Sequence, residues 1–214
     1  MLNRYSAIWC AAGAALISAL VARADVVVLS GTKDNTLYQT YNGSTTNSNG
    51  AGEHIFAGRT GDGYLRRALI TFDLSSIPPG STITGATVTL FMSRSKTRGV
   101  DVSFHRATAA WGEGPSNATQ EEGKGALAIP GDATWLHRFY PTSFWASAGG
   151  DFRSPTSAVV QVSSEGAYTW SSVGLVADVQ LWLNNPGTNF GWLIRGDELQ
   201  NRTATRFDSR EITT

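Results

Sequence analysis

Apolar side chains recur at every second position along much of this chain. Ala68, Ile70, Phe72 and Leu74 alternate with Arg67, Leu69, Thr71 and Asp73. Ala86, Val88, Leu90 and Met92 alternate with Thr87 and Thr89, and Val100, Val102 and Phe104 continue the rhythm. A period of two places one set of side chains on one face of a strand, so each run predicts a half-buried strand. Further strands are predicted from the β-branched run Val26 to Leu29, from Thr36 to Thr40, Glu53 to Ala57 and Ala158 to Val162, from Phe190, Trp192 and Ile194, and over Ala204 to Glu211. Residues 42–52 carry no apolar side chain larger than alanine, so burial cannot offset the entropy of ordering them, and a surface loop is expected. Val173 to Asn184 reads as a short helix, with Leu175, Val179 and Trp182 at helical spacing and Asn184-Asn185-Pro186-Gly187 as its stop. Short strands at close spacing, with Gly and Pro turns and no crossover helices, predict an all-β fold of antiparallel sheets packed as a sandwich.

Between Ala109 and Pro155 the rhythm stops. This segment is rich in aromatics: Trp111, Trp135, Phe139, Tyr140, Phe144, Trp145 and Phe152. A long connection without periodicity inside a compact domain commonly carries function. The apolar face of a pyranose ring can lie flat on an exposed indole or phenol while neighbouring polar groups meet its hydroxyls. Trp135, Tyr140 and Trp145 are therefore the expected carbohydrate-binding residues. The competing reading is structural, since aromatic rings bury large areas and a sandwich needs plugs at its ends.

The N-terminus changes the picture of where the protein works. Arg4 precedes an apolar stretch from Ala7 to Leu20, and Ala22-Arg23-Ala24 forms a small-residue cleavage site, so residues 1–24 read as a secretory signal peptide and 25–214 as one domain. The apolar stretch is shorter than the roughly 20 residues a spanning helix needs, and no stable membrane span is expected after cleavage. Cys10 is the sole cysteine and lies within the leader, so the mature chain has no disulfide or thiolate metal site. Cleavage removes Arg4 and Arg23 and no acid, which leaves a net charge near −2. With only a short Lys and Arg cluster around Arg94 to Arg98, nucleic acid is not an expected partner.

Reaction machinery is sparse. No G-x-S-x-G elbow, H-E-x-x-H, P-loop or EF-hand loop occurs, and His54, His105 and His137 are far apart. A glycoside hydrolase would need two carboxylates flanking the scissile bond, for which Glu113, Asp132, Asp151 and Glu165 are the candidates near the aromatic segment. Asp34, Asn35, Asp197, Glu198 and Asp208 offer hard oxygens of the kind that hold calcium, at no diagnostic spacing, with turn formation as the default role.

The string Arg67-Ala68-Leu69-Ile70-Thr71-Phe72-Asp73-Leu74-Ser75-Ser76-Ile77-Pro78-Pro79-Gly80, continuing to Val88, resembles the signature of the DNRLRE-domain family of extracellular modules. Trp111-Gly112-Glu113-Gly114, Gly131-Asp132-Ala133-Thr134-Trp135, Gly149-Gly150-Asp151-Phe152, Asn189-Phe190-Gly191-Trp192 and Arg206-Phe207-Asp208-Ser209-Arg210-Glu211 extend the resemblance over nearly all of residues 25–211. It implies a jelly-roll β-sandwich in a secreted, non-catalytic, carbohydrate-binding module, with acidic polysaccharides such as alginate among the ligands of similar domains. It implies no reaction and no firm cofactor. Similar domains continue past the Arg-Glu pair into a terminal apolar strand, whereas this chain stops at Thr214, so the last strand is expected to be missing and the domain to be C-terminally truncated. The expected function is binding of extracellular polysaccharide. A structural or adhesive surface module without a defined glycan, and a glycoside hydrolase or polysaccharide lyase, are the alternatives.

Overall fold

A computed structural model describes residues 24–41, 46–95 and 99–213. The expected leader, apart from Ala24, and the basic residues Lys96 and Arg98 lie outside the described residues. Strand β1 (Gly31–Tyr38) leads through β2 (Asn47–Ser48) to β3 (His54–Arg59), which turns tightly into β4 (Leu65–Phe72). β5 (Thr87–Arg94) and β6 (Val100–Arg106) follow, and the aromatic segment then forms the short β7 (Ala126–Leu127), β8 (His137–Phe139) and β9 (Ser143–Phe144). The chain ends through β10 (Ala158–Val162), β11 (Gly166–Ser171), helix α1 (Val173–Asn184), β12 (Trp192–Arg195) and β13 (Thr205–Asp208).

Eight strands form two antiparallel layers, β10-β6-β12-β4 and β3-β13-β5-β11. The layers join where Gly58 and Arg59 pair with Arg66 and Leu65, and β1 adds to β4. Connections from β3 to β4, β4 to β5, β5 to β6, β10 to β11, β11 to β12 and β12 to β13 each cross between layers, which is the winding of a jelly roll. The core between the layers takes the alternate residues the sequence pattern indicated: Ala68 and Ile70, Val88, Leu90 and Met92, and Val100, Val102 and Phe104. Helix α1 closes one end. Ser172 caps it by accepting from the Leu175 amide, and Leu175, Val179 and Trp182 enter the core, with the Trp182 ring edge-on to Trp192 at 4.6 Å. Among the described residues no helix is long and apolar enough to cross a membrane.

Two local expectations need correction, and one strand, β11, has no counterpart in the sequence reading. Val26 to Leu29 forms no strand, and Val26 and Val28 are exposed, because pairing with β4 begins only at Gly31 opposite Phe72. Ser48 and Asn49, in the segment expected as a surface loop, are buried. Their order comes from hydrogen bonds rather than apolar area: Asn35 Nδ2 donates to Ser48 Oγ at 2.9 Å and Asn49 Nδ2 to Glu122 at 2.9 Å. β11 has no apolar alternation to betray it, since Tyr168 and Trp170 stand among Gly, Ala, Thr and Ser, yet Trp170 is fully buried and donates to Val102 O at 2.8 Å.

Candidate functional site

β4, β12 and β1 turn apolar side chains outward as well as inward. Leu69, Leu193 and Leu37 point away from the central core and are fully buried because the aromatic segment folds back over them. Trp111, Ala133, Trp135 and Trp145 make this second core. Trp135 is 5% exposed and Trp145 6%; the Arg67 guanidinium lies 4.9 Å over the Trp135 ring, and Trp145 Nε1 donates to Thr134 O at 2.9 Å. Gly149, at φ +89°, presses against Trp135, where a Cβ would stand 2.7 Å from Cζ2. Tyr140 is half-buried, edge-on to His137 at 5.1 Å, and its backbone bonds to Gly131 and Asp132. The expected sugar-stacking trio is therefore not a joint exposed platform: both indoles are closed in as cover for Leu37, Leu69 and Leu193. The exposed ring of this segment is Phe144.

Three of the four candidate carboxylates are similarly committed. Asp132 is buried and accepts from the Ile129 amide at 2.6 Å and more distantly from that of Ser116; burial raises its pKa. Asp151 accepts from the amides of Ala146 and Ser147, Glu165 lies exposed in the turn between β10 and β11, and Glu113 is held by Arg210. His105 and His137 are buried, and burial lowers both imidazole pKa values. Among the calcium candidates, Asp197 accepts from the Leu199 and Gln200 amides in a turn, and Glu198 takes a bidentate bond from Arg67 at 2.7 and 3.0 Å and further bonds from Arg195. Asp208 Oδ1 lies 3.8 Å from His54 Nε2. Glu53, His54 and Glu122 converge closely enough to suggest a metal group, but Glu122 already accepts from the amides of Glu53 and His54 and from Asn49 Nδ2.

The outer face of β3, β13 and β5 is different. Alternation sends Ile55, Ala57, Phe207 and Met92 into the core and leaves Phe56, Arg206 and Ser93 on the opposite side. Phe56 and Arg206, together with the β3–β4 turn, Arg94 and Ser95 at the end of β5, Glu121 and Gly123, bound an open groove of about 960 Å³. Four arginines line it, Arg66, Arg94, Arg202 and Arg206, against two acids, Asp62 and Glu121. Arg66 is structural: it is buried over the Tyr38 ring at 4.8 Å, donates to Gly123 O, Gln39 O and Leu65 O, and burial lowers its pKa to about 10. Arg206 is fixed by Ser93 Oγ at 3.1 Å and by Glu121 at 2.7 Å. Arg94 also pairs with Glu121, whose carboxyl pKa is lowered chiefly by that hydrogen bond. Arg202 is exposed, with no ion pair or side-chain hydrogen bond among the described residues. Sequence reasoning missed this groove because its arginines are scattered from 66 to 206 with no basic run. The available signal was Arg206 alternating with the inward Phe207.

No family model matches the chain, and no curated protein matches it.

Proposed function

We propose that this protein is a secreted, non-catalytic module, akin to the DNRLRE-domain family, that binds polysaccharide in the arginine groove. The observation that carries this reading is the groove itself: three solvent-reaching guanidinium groups, Arg94 on β5, Arg206 on β13 and Arg202 in the turn before β13, beside Thr60. Guanidinium groups meet carboxylate or sulfate oxygens with paired, planar hydrogen bonds, so the groove suits a chain bearing acidic sugars better than a neutral glucan. The commitment of Glu113, Asp132 and Asp151 to arginine or amide partners supports binding over hydrolysis.

Affinity electrophoresis through gels containing alginate, polygalacturonate or hydroxyethyl cellulose tests the reading. The acidic gels are expected to retard the protein and the cellulose gel to leave it unretarded. Arg202→Ala, which breaks no ion pair among the described residues, should release most of the retardation at unchanged melting temperature. Equal migration in all three gels would turn the reading toward a structural surface module without a glycan ligand.

A further inference from the structure

The outer face of β5 continues beyond the arginine groove. Alternation turns Val88, Leu90 and Met92 into the core and leaves Thr87, Thr89, Phe91 and Ser93 outside. Ser93 touches the groove, since its Oγ accepts from Arg206 Nε at 3.1 Å. Phe91 comes next on the same face and is 50% exposed, with no aromatic or cationic partner among the described residues. The side chains around it are small: Thr89 and Ser93 lie two residues away on β5, and Ala167 stands directly opposite on the edge strand β11. The ring therefore stands proud of its neighbours. Farther along, Thr89 and Thr169 pair through their hydroxyls at 2.8 Å, and Ser171 stands opposite Thr87. Beyond Ser93 this strip of β5 and β11 carries no charged side chain.

We propose that Phe91 is a sugar-stacking residue, and that a glycan chain held in the arginine groove continues along β5 across this ring to the Thr89 and Thr169 hydroxyls. The inference rests on the reading of the groove as a polysaccharide site. Each unit of an acidic polysaccharide presents two surfaces, a carboxylate that a guanidinium can pair and a C–H face that packs on an aromatic ring. The groove supplies the first partner and Phe91 the second, while threonine hydroxyls, donor and acceptor at once, match sugar hydroxyls. A single exposed phenylalanine is ordinary on a protein surface. Phe91 differs in lying directly beyond the contact between Ser93 and Arg206, in line with the groove. At about 3.4 Å per residue, the strand from Arg94 to Thr87 spans roughly 24 Å, room for several sugar units. The ligand is thus an extended acidic chain rather than a short acidic sugar. Its two kinds of contact respond differently to salt, which screens attraction between charges but does not weaken the burial of apolar surface.

Affinity electrophoresis of the whole protein through alginate gels at low and raised salt is the test. Phe91→Thr keeps a residue suited to an exposed strand, so the melting temperature should barely move. Binding should weaken about 2- to 10-fold at both ionic strengths, whereas Arg202→Ala should weaken it mainly at low salt. If Phe91→Thr does not fold, Phe91→Leu, which keeps apolar bulk without the flat π-face, carries the same comparison. Retardation of the wild type matched in full by the Phe91 variant would overturn the stacking role and leave the arginine groove standing. No retardation of the wild type in any acidic gel would remove both. A wild-type dimer that Phe91→Thr dissociates, read by light scattering, with retardation unchanged, would make the strip a contact between copies and overturn the proposal.

Discussion

His105 shows how one side chain ties stability to pH. Its Nδ1 lies 3.2 Å from Arg153 O and its Nε2 3.1 Å from Ser103 Oγ, an arrangement that serves a neutral ring donating from Nδ1. Burial lowers its pKa first, and Arg195 and Arg67 add to the effect, while the Arg153 carbonyl and Glu198 act in the opposite sense. With the folded-state pKa below the unfolded value of 6.5, the unfolded chain binds the extra proton first, so stability is full above about pH 6.5 and is lost as the pH falls below it. Urea unfolding at pH 7.5 and 5.5 should show a larger loss of stability for the wild type than for His105→Gln. Equal losses would show that His105 remains neutral in both states or charged in both.

The aromatic segment is the element whose role the pattern of residues left open. Strand alternation identified most of the jelly roll, because inward and outward side chains differ in kind on β5 and β6, and the helix declared itself through Leu175, Val179 and Trp182. Alternation was ambiguous on β4, where Leu69 faces outward yet is buried, and that leucine was the clue that a second layer must cover the sheet. Whether a tryptophan is cover or platform depends on its long-range neighbours, and Trp135 meets Arg67 and Gly149 from distant parts of the chain. The groove was illegible for the same reason, its arginines meeting only once β3, β5 and β13 pair. Trp135→Ala should therefore cost about 3–5 kcal/mol of unfolding free energy, read by urea denaturation, while the folded fraction keeps its gel retardation. A near-neutral effect on stability would contradict the placement of this ring in the second core.

At the scale of the whole molecule, the jelly roll divides its outer surface between two uses. One layer is roofed by the aromatic segment, and the other keeps the face of β3, β13 and β5 open as the groove. Within that groove Glu121 is two-thirds exposed at its side chain and engages both Arg94 and Arg206, so it occupies the guanidinium groups that an acidic sugar would meet. A ligand carboxylate must displace it or share those donors. Exposed ion pairs are weak because water and salt screen them, so a ligand carboxylate can displace this internal competitor. Glu121→Gln removes the negative charge with little change in shape, and it should tighten binding to an acidic polysaccharide by about 1.5- to 5-fold. The gain should shrink as salt is raised, since screening weakens the attraction between the freed arginines and the glycan. Affinity electrophoresis at low and high ionic strength reads both effects together. Unchanged or weakened binding in Glu121→Gln at low salt would mean that Arg94 and Arg206 do not contact the glycan.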